Sequence, residues 1–142
     1  NNELSNVFTS QEPIKLRLIY RINKKISGLR IIYQVLTTNG EVVFASTDHS
    51  ARNNEKLSPG IYMTEGIIPE NLLNLKEYKI ALSAGNPGVR RFIEQQEILK
   101  LFIIGTGNHG STFSDYRNWP GLVSPKVDWK ILKLSIENDK TI

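Results

Sequence analysis

The sequence predicts an all-β fold: an antiparallel two-sheet β-sandwich of immunoglobulin-like or jelly-roll type. Three observations carry this. Apolar residues recur with period two in short segments. Turn-forming clusters punctuate those segments at regular spacing. No segment holds the helical period long enough for a bundle or a doubly wound α/β fold.

The elements follow in order. In "IKLRLIYRI", Ile14, Leu16, Leu18, Tyr20 and Ile22 alternate with Lys15, Arg17, Ile19 and Arg21, the pattern of a half-buried strand. A turn at Ser27-Gly28 leads into "LRIIYQVLT", rich in β-branched and aromatic residues. Asn39-Gly40 is a hairpin signal, because both residues tolerate positive φ. "EVVFAST" is the return strand, and these first three strands are predicted to form a meander. "DHSARNNEKLSPG" is polar and turn-rich, hence a surface loop. "IYMTEGII" is a further strand, and "PENLL" predicts one helical turn with Pro69 at its start. "EYKIALSAG" alternates again, "GNPG" breaks the chain, and Glu97 to Ile104 forms the next strand. "WKILKLSI", from Trp129, is the last. It follows a connection containing Trp119, Pro120, Gly121 and Pro125.

At 142 residues the chain fits one domain, residues 1–142. A domain of this size buries roughly 68–70% of its unfolded surface, enough for a two-layer core. It contains no cysteine, which excludes disulfides and thiolate metal sites. Its net charge of +4 is modest, and Lys and Arg are spread along the chain. The densest cluster, "RLIYRINKK", reads as the solvated face of a strand, so nucleic acid is not an expected partner. The start at Asn1 fits a fragment of a longer chain.

Catalytic constellations are not evident. "DHS" (Asp48 to Ser50) places Asp, His and Ser side by side, whereas a triad needs side chains converging from separate elements. His109 sits apart in "GTGNHGS", which lacks the Lys of a phosphate loop. Glu94, Glu97 and Asp115 are the carboxylates an enzyme reading would use. The expectation is a domain without catalytic residues, metal ligands or cofactor. A sugar site needs flat aromatic faces and planar polar side chains. The candidates are Arg17, Arg21, Arg30 and Gln34 at outward strand positions, with Asp48, His49, Tyr62, Tyr116 and Trp119 from loops and strand ends.

Three ordered stretches carry a resemblance: "VFTSQEPIKLRLIYRI", "IIPENLLNLKEYKIAL" and "WPGLVSPKVDWKI". Together they resemble the C-terminal carbohydrate-binding domain on the ATP-binding subunit of bacterial polysaccharide (O-antigen) ABC exporters. Two positions depart from that pattern: Gln11 and Glu77 stand where the family commonly has Gly. The resemblance implies a non-catalytic module that binds the non-reducing end of a lipid-linked O-antigen polysaccharide. It implies an upstream ATPase domain that holds the ATP, a membrane-spanning exporter subunit as partner, and a cytoplasmic place at the inner face of the inner membrane. It also implies a homodimer that exchanges its C-terminal strand. Trp129, Ile131, Leu132 and Leu134 would lie in that strand. In this reading Trp129 packs on a sheet, either within its own subunit or across the dimer seam. The competing expectation is an immunoglobulin-like protein-interaction domain without sugar affinity.

Overall fold

A computed structural model describes residues 6–53, 56–105 and 119–135. His109, Asp115 and Tyr116 lie outside the described residues. Seven strands occur in chain order: β1 (Val7–Thr9), β2 (Ile14–Ile22), β3 (Arg30–Thr37), β4 (Val42–Thr47), β5 (Gly60–Ile68), β6 (Glu77–Asn86) and β7 (Arg90–Ile104). They form two sheets. The larger has the order β1-β7-β6-β3-β4, and the smaller holds β2 and β5. The fold is a β-sandwich, as the period-two pattern predicts. Its one parallel pair among the described strands is β1 with β7, so the larger sheet is mixed.

The predicted meander is only half present. β3 and β4 pair through the Asn39-Gly40 turn, where Gly40 takes φ +88° and Thr37 N–H donates to the Glu41 carbonyl at 2.8 Å. β2 does not join them. It pairs along its whole length with β5, from Ile14 opposite Ile68 to Ile22 opposite Gly60. The reason is the apolar stripe of β2. Residues 23–29 carry the chain from one layer to the other, so Ile14 and Ile22 face the buried side of β3 across the core. A meander would have put these stripes side by side and left them uncovered.

Two buried clusters fill the space between the sheets. One holds Ile14, Val35, Ile68, Leu73, Leu75, Tyr78, Ile80, Leu101 and Ile103. The other holds Ile22, Leu29, Ile31, Leu82 and Ala84, with Tyr20 and Tyr62 packed against it. β7 is longer than predicted, running 15 residues. Its first half is exposed and bulged against β6, where Gly85 lets the backbone of Arg90 approach; a Cβ there would lie 2.8 Å from the Arg90 carbonyl. "PENLL" is not helical; residues 69–73 run irregularly to an isolated bridge between Leu73 and Val123. Five residues cannot hold a stable helical turn when their backbone groups have better partners elsewhere.

That bridge belongs to a clamp. Asn74 is fully buried. Its side-chain amide donates to the carbonyls of Trp119, Pro120 and Gly121, the last at 2.7 Å. Its carbonyl oxygen Oδ1 accepts from Leu75 N–H. The Tyr78 hydroxyl, also fully buried, lies 2.7 Å from the Leu122 carbonyl and 3.0 Å from that of Asn74. Burial pushes the Tyr78 phenol far above its ordinary range, against a smaller downward pull from its bond to Asn74, so it stays a donor. Irregular backbone can enter a core only if its carbonyls find such donors. The clamp therefore fixes "WPGLV" against residues 72–75.

Replacing Asn74 by Ala leaves those carbonyls unsatisfied and is expected to cost about 2–3 kcal/mol. Tyr78→Phe removes one hydroxyl and should cost about 1–2 kcal/mol. Urea denaturation with an unchanged m-value checks both; a neutral Asn74→Ala would show that the clamp is not structural.

Candidate functional site

The structure divides the predicted site residues among several places. Arg30, Asp48, His49 and Tyr62 meet in one network at the end of the sandwich where β4 gives way to the loop before β5. Asp48 is its hub. Its Oδ1 accepts from the Ile31 N–H at 2.9 Å, on β3. Its Oδ2 accepts from Arg52 Nη2 at 2.6 Å and from the Thr64 hydroxyl at 2.9 Å, on β5. One carboxylate thus ties the larger sheet to the smaller. Burial alone would raise the Asp48 pKa. The hydrogen bonds from Arg52, the Ile31 amide and Thr64, with the Arg52 charge, outweigh it and hold the carboxyl below its ordinary value.

Arg52 continues the network. Its Nη2 donates to the Tyr20 hydroxyl at 2.9 Å, and its guanidinium lies 5.8 Å from the Tyr20 ring centroid. Tyr20 stacks on Tyr62, its register partner, with centroids 5.9 Å apart. Both rings sit on the inner face and pack on the second core cluster. Tyr62 is therefore no open stacking platform, and its hydroxyl donates to the Ser58 carbonyl. Arg30 is likewise not at an outward, solvated position as the strand alternation suggested; it is 8% exposed. Its Nε donates to His49 Nδ1 at 2.6 Å and its Nη1 to the Leu29 carbonyl at 2.8 Å. His49 must then be the neutral tautomer with its proton on Nε2.

The other candidates lie apart. Arg17 and Arg21 point outward from β2 as predicted, Arg17 paired with Glu65 at 2.9 Å. Gln34 is half-buried on the outer face of the larger sheet, between Ala45 and Ala81 in register. Trp119 is half-buried, its carbonyl held by Asn74. Glu94 and Glu97 form surface ion pairs with Arg91 and Lys79. Among the described residues no cluster of His, Asp and Glu could hold a metal ion, and no helix is long and apolar enough to cross a membrane.

Two clefts open between the sheets. One of about 360 Å³ brings Asp48 to a common space with Tyr33, Ser46, Thr47 and Thr64, over an apolar floor; Arg17 borders it along β2, but its side chain points outward to Glu65. The second, about 770 Å³, is lined by Leu18, Tyr20 and Ile22 of β2 and by Phe92, Ile93 and Ile98 of β7. No β5 residue borders it, so it opens along the free edge of β2.

Within the predicted last strand, residues 125–135 form neither strand nor bridge among the described residues. Trp129 is 83% exposed, Ile131 96% and Leu134 92%, with Leu132 also exposed.

Sequence reasoning missed Arg52 and Tyr20. Arg52 carried a signal, four residues after Asp48 in the same loop. Tyr20 carried none beyond its inward position.

The Asp48 tie gives a pH prediction. Because its folded pKa is depressed, its contribution is full above the ordinary carboxylate range and is lost as pH falls below about 4. Asp48→Asn should cost about 3 kcal/mol near neutrality, since Arg52 is left half-buried and unpaired. The variant should also lose part of the acid-side fall in stability. Thermal melts from pH 3 to 7 read both; parallel curves for the two proteins would refute the tie.

No protein-family model and no curated protein matches the chain. Among solved structures, the chain is similar to one described as the crystal structure of the C-terminal domain of wzt. That match has a TM-score of 0.64 and 12% sequence identity, and covers 89% of this chain and 74% of the other. The two sandwiches share a fold over nearly the whole of this chain.

Proposed function

We propose that this domain binds the non-reducing terminal part of a lipid-linked O-antigen polysaccharide and couples chain completion to export by an ABC transporter. The observation that carries this is the match in fold to the wzt C-terminal domain over 89% of the chain. The three ordered sequence stretches that resemble the exporter family support it. The clamp adds to the resemblance, because Asn74 and Tyr78 of the second stretch hold the backbone of the third. In this reading the domain is non-catalytic and one unit of a longer chain. An upstream ATPase domain holds the ATP, the membrane-spanning exporter subunit is the partner, and the module works in the cytoplasm at the inner membrane.

The glycan end would enter the cleft bordered by Asp48, Tyr33 and Thr64. Sugar rings suit such a site, with polar groups at the mouth and apolar side chains beneath. Residues 129–134 would serve the homodimer. An exposed, β-prone apolar segment and an open apolar cleft along an unpaired strand edge are complementary needs.

A second reading has its own observation. The outer face of the β2–β5 sheet exposes Ile19, Ile61, Met63 and Ile67, each more than half exposed. Such a face suits an immunoglobulin-like protein-interaction domain.

Calorimetric titration with the producing strain's own polysaccharide separates the readings. Binding at millimolar glycan or tighter is expected; no heat at that concentration, with capture of a protein partner, favours the second. Truncation before Trp129 is expected to give monomer or insoluble protein by size-exclusion light scattering. A well-folded dimer after that truncation would rule out the seam.

A further inference from the structure

Beside the Asp48 network lies a small polar cavity of about 170 Å³, walled by Gly28, Arg30, Arg52 and Asn53. Two arginines border it. Their charges are not balanced alike. Arg52 has the Asp48 carboxylate at 2.6 Å. Arg30 is more than nine-tenths buried, yet its partners are a neutral imidazole and a backbone carbonyl. Among the described residues no carboxylate forms an ion pair with it. With Asp48 at −1 and both arginines at +1, the cluster keeps one uncompensated positive charge.

Buried charge without a counter-charge is costly, and folded proteins place one where an anion completes it. Arginine is also the side chain best suited to planar or tetrahedral oxyanions, because its fork donates two parallel hydrogen bonds. The fork here is held in place. His49 fixes Nε, and the Leu29 carbonyl fixes Nη1, leaving Nη2 without a bonded partner among the described residues. Gly28 keeps one wall low: it takes φ +72°, and a Cβ there would run into the Asn86 side chain.

We propose that this cavity is an oxyanion subsite, taking a carboxylate or phosphate group carried by the ligand. For a glycan, that means an acidic sugar or a phosphorylated one at the bound end. The carrier rests on the function proposed above; the subsite itself rests on the unbalanced arginine and its cavity.

The test is a ¹H–¹⁵N NMR titration of the intact domain with inorganic phosphate, with glucuronate and with neutral glucose. Phosphate, glucuronate or both should shift the Gly28 and Asn53 amides and the Arg30 Nε–H, with glucose leaving them still. A response to phosphate alone assigns a phosphate ester, and to glucuronate alone an acidic sugar. Arg30→Gln should weaken the response about 10–100-fold. If that variant does not fold, Arg30→Lys, which keeps the charge but loses the fork, should weaken it less. Unmoved pocket signals with both anions overturn the proposal. Polysaccharide binding without anion shifts would sink the subsite and spare the glycan reading. Anion shifts without polysaccharide binding would do the reverse.

Discussion

Among the described residues the smaller sheet has two strands and the larger five, and two strands cannot cover five. Strands lie about 4.8 Å apart, so β2 and β5 span ~10 Å against more than twice that in the facing sheet. This mismatch of area governs the rest of the molecule. Where the layers overlap fully, the side chains of Ile14, Val35, Ile68 and Tyr78 close a dry core. Where β2 ends the smaller sheet, the core stays open and a cleft runs along its edge toward β7. Among the described strands, β2 and β5 leave much of β7 uncovered, and Ile93, Ile98 and Leu99 are exposed along it.

Two polar devices hold so narrow a layer in place. The Asp48 carboxylate bonds to β3, to β5 and to Arg52 at once, so the small sheet is tied to the large one at one end. At another place Asn74 and Tyr78 bind the backbone of residues 119–122, which brings irregular chain into the core without leaving its carbonyls unsatisfied. Each device joins segments distant in sequence. Hydrophobic burial is non-directional; these hydrogen bonds supply the direction. The tail has an apolar sequence, and Trp129, Ile131, Leu132 and Leu134 are exposed along it.

Site and scaffold overlap here. Arg30, Asp48, His49 and Tyr62 are planar and polar or aromatic, the residue types that a sugar site uses, and the fold does gather them. It gathers them largely to brace the sandwich. Tyr62 and Tyr20 turn inward, and Asp48 already accepts three hydrogen bonds from the protein. What remains for a ligand is the cleft beside Asp48 and the charge that Arg30 leaves unbalanced.

Strands β2 to β6 and the second half of β7 were legible in the chain, because period-two burial and the Asn39-Gly40 turn are local facts of it; β1 and the first half of β7 were not. The sequence by itself also determined that "WKILKLSI" must be covered by something, since Trp129, Ile131 and Leu134 are too apolar to be plain surface. Strand partners were not local. Whether β2 lies beside β3 or across from it depends on which packing hides two apolar stripes, and both arrangements satisfy the same alternation. Arg30 shows the limit most sharply. Alternation placed it on an outward position, and outward of a sheet is not the same as solvated. Only the tertiary structure, by folding the Asp48–Arg52 loop over that position, buried its charge and made a cavity beside it.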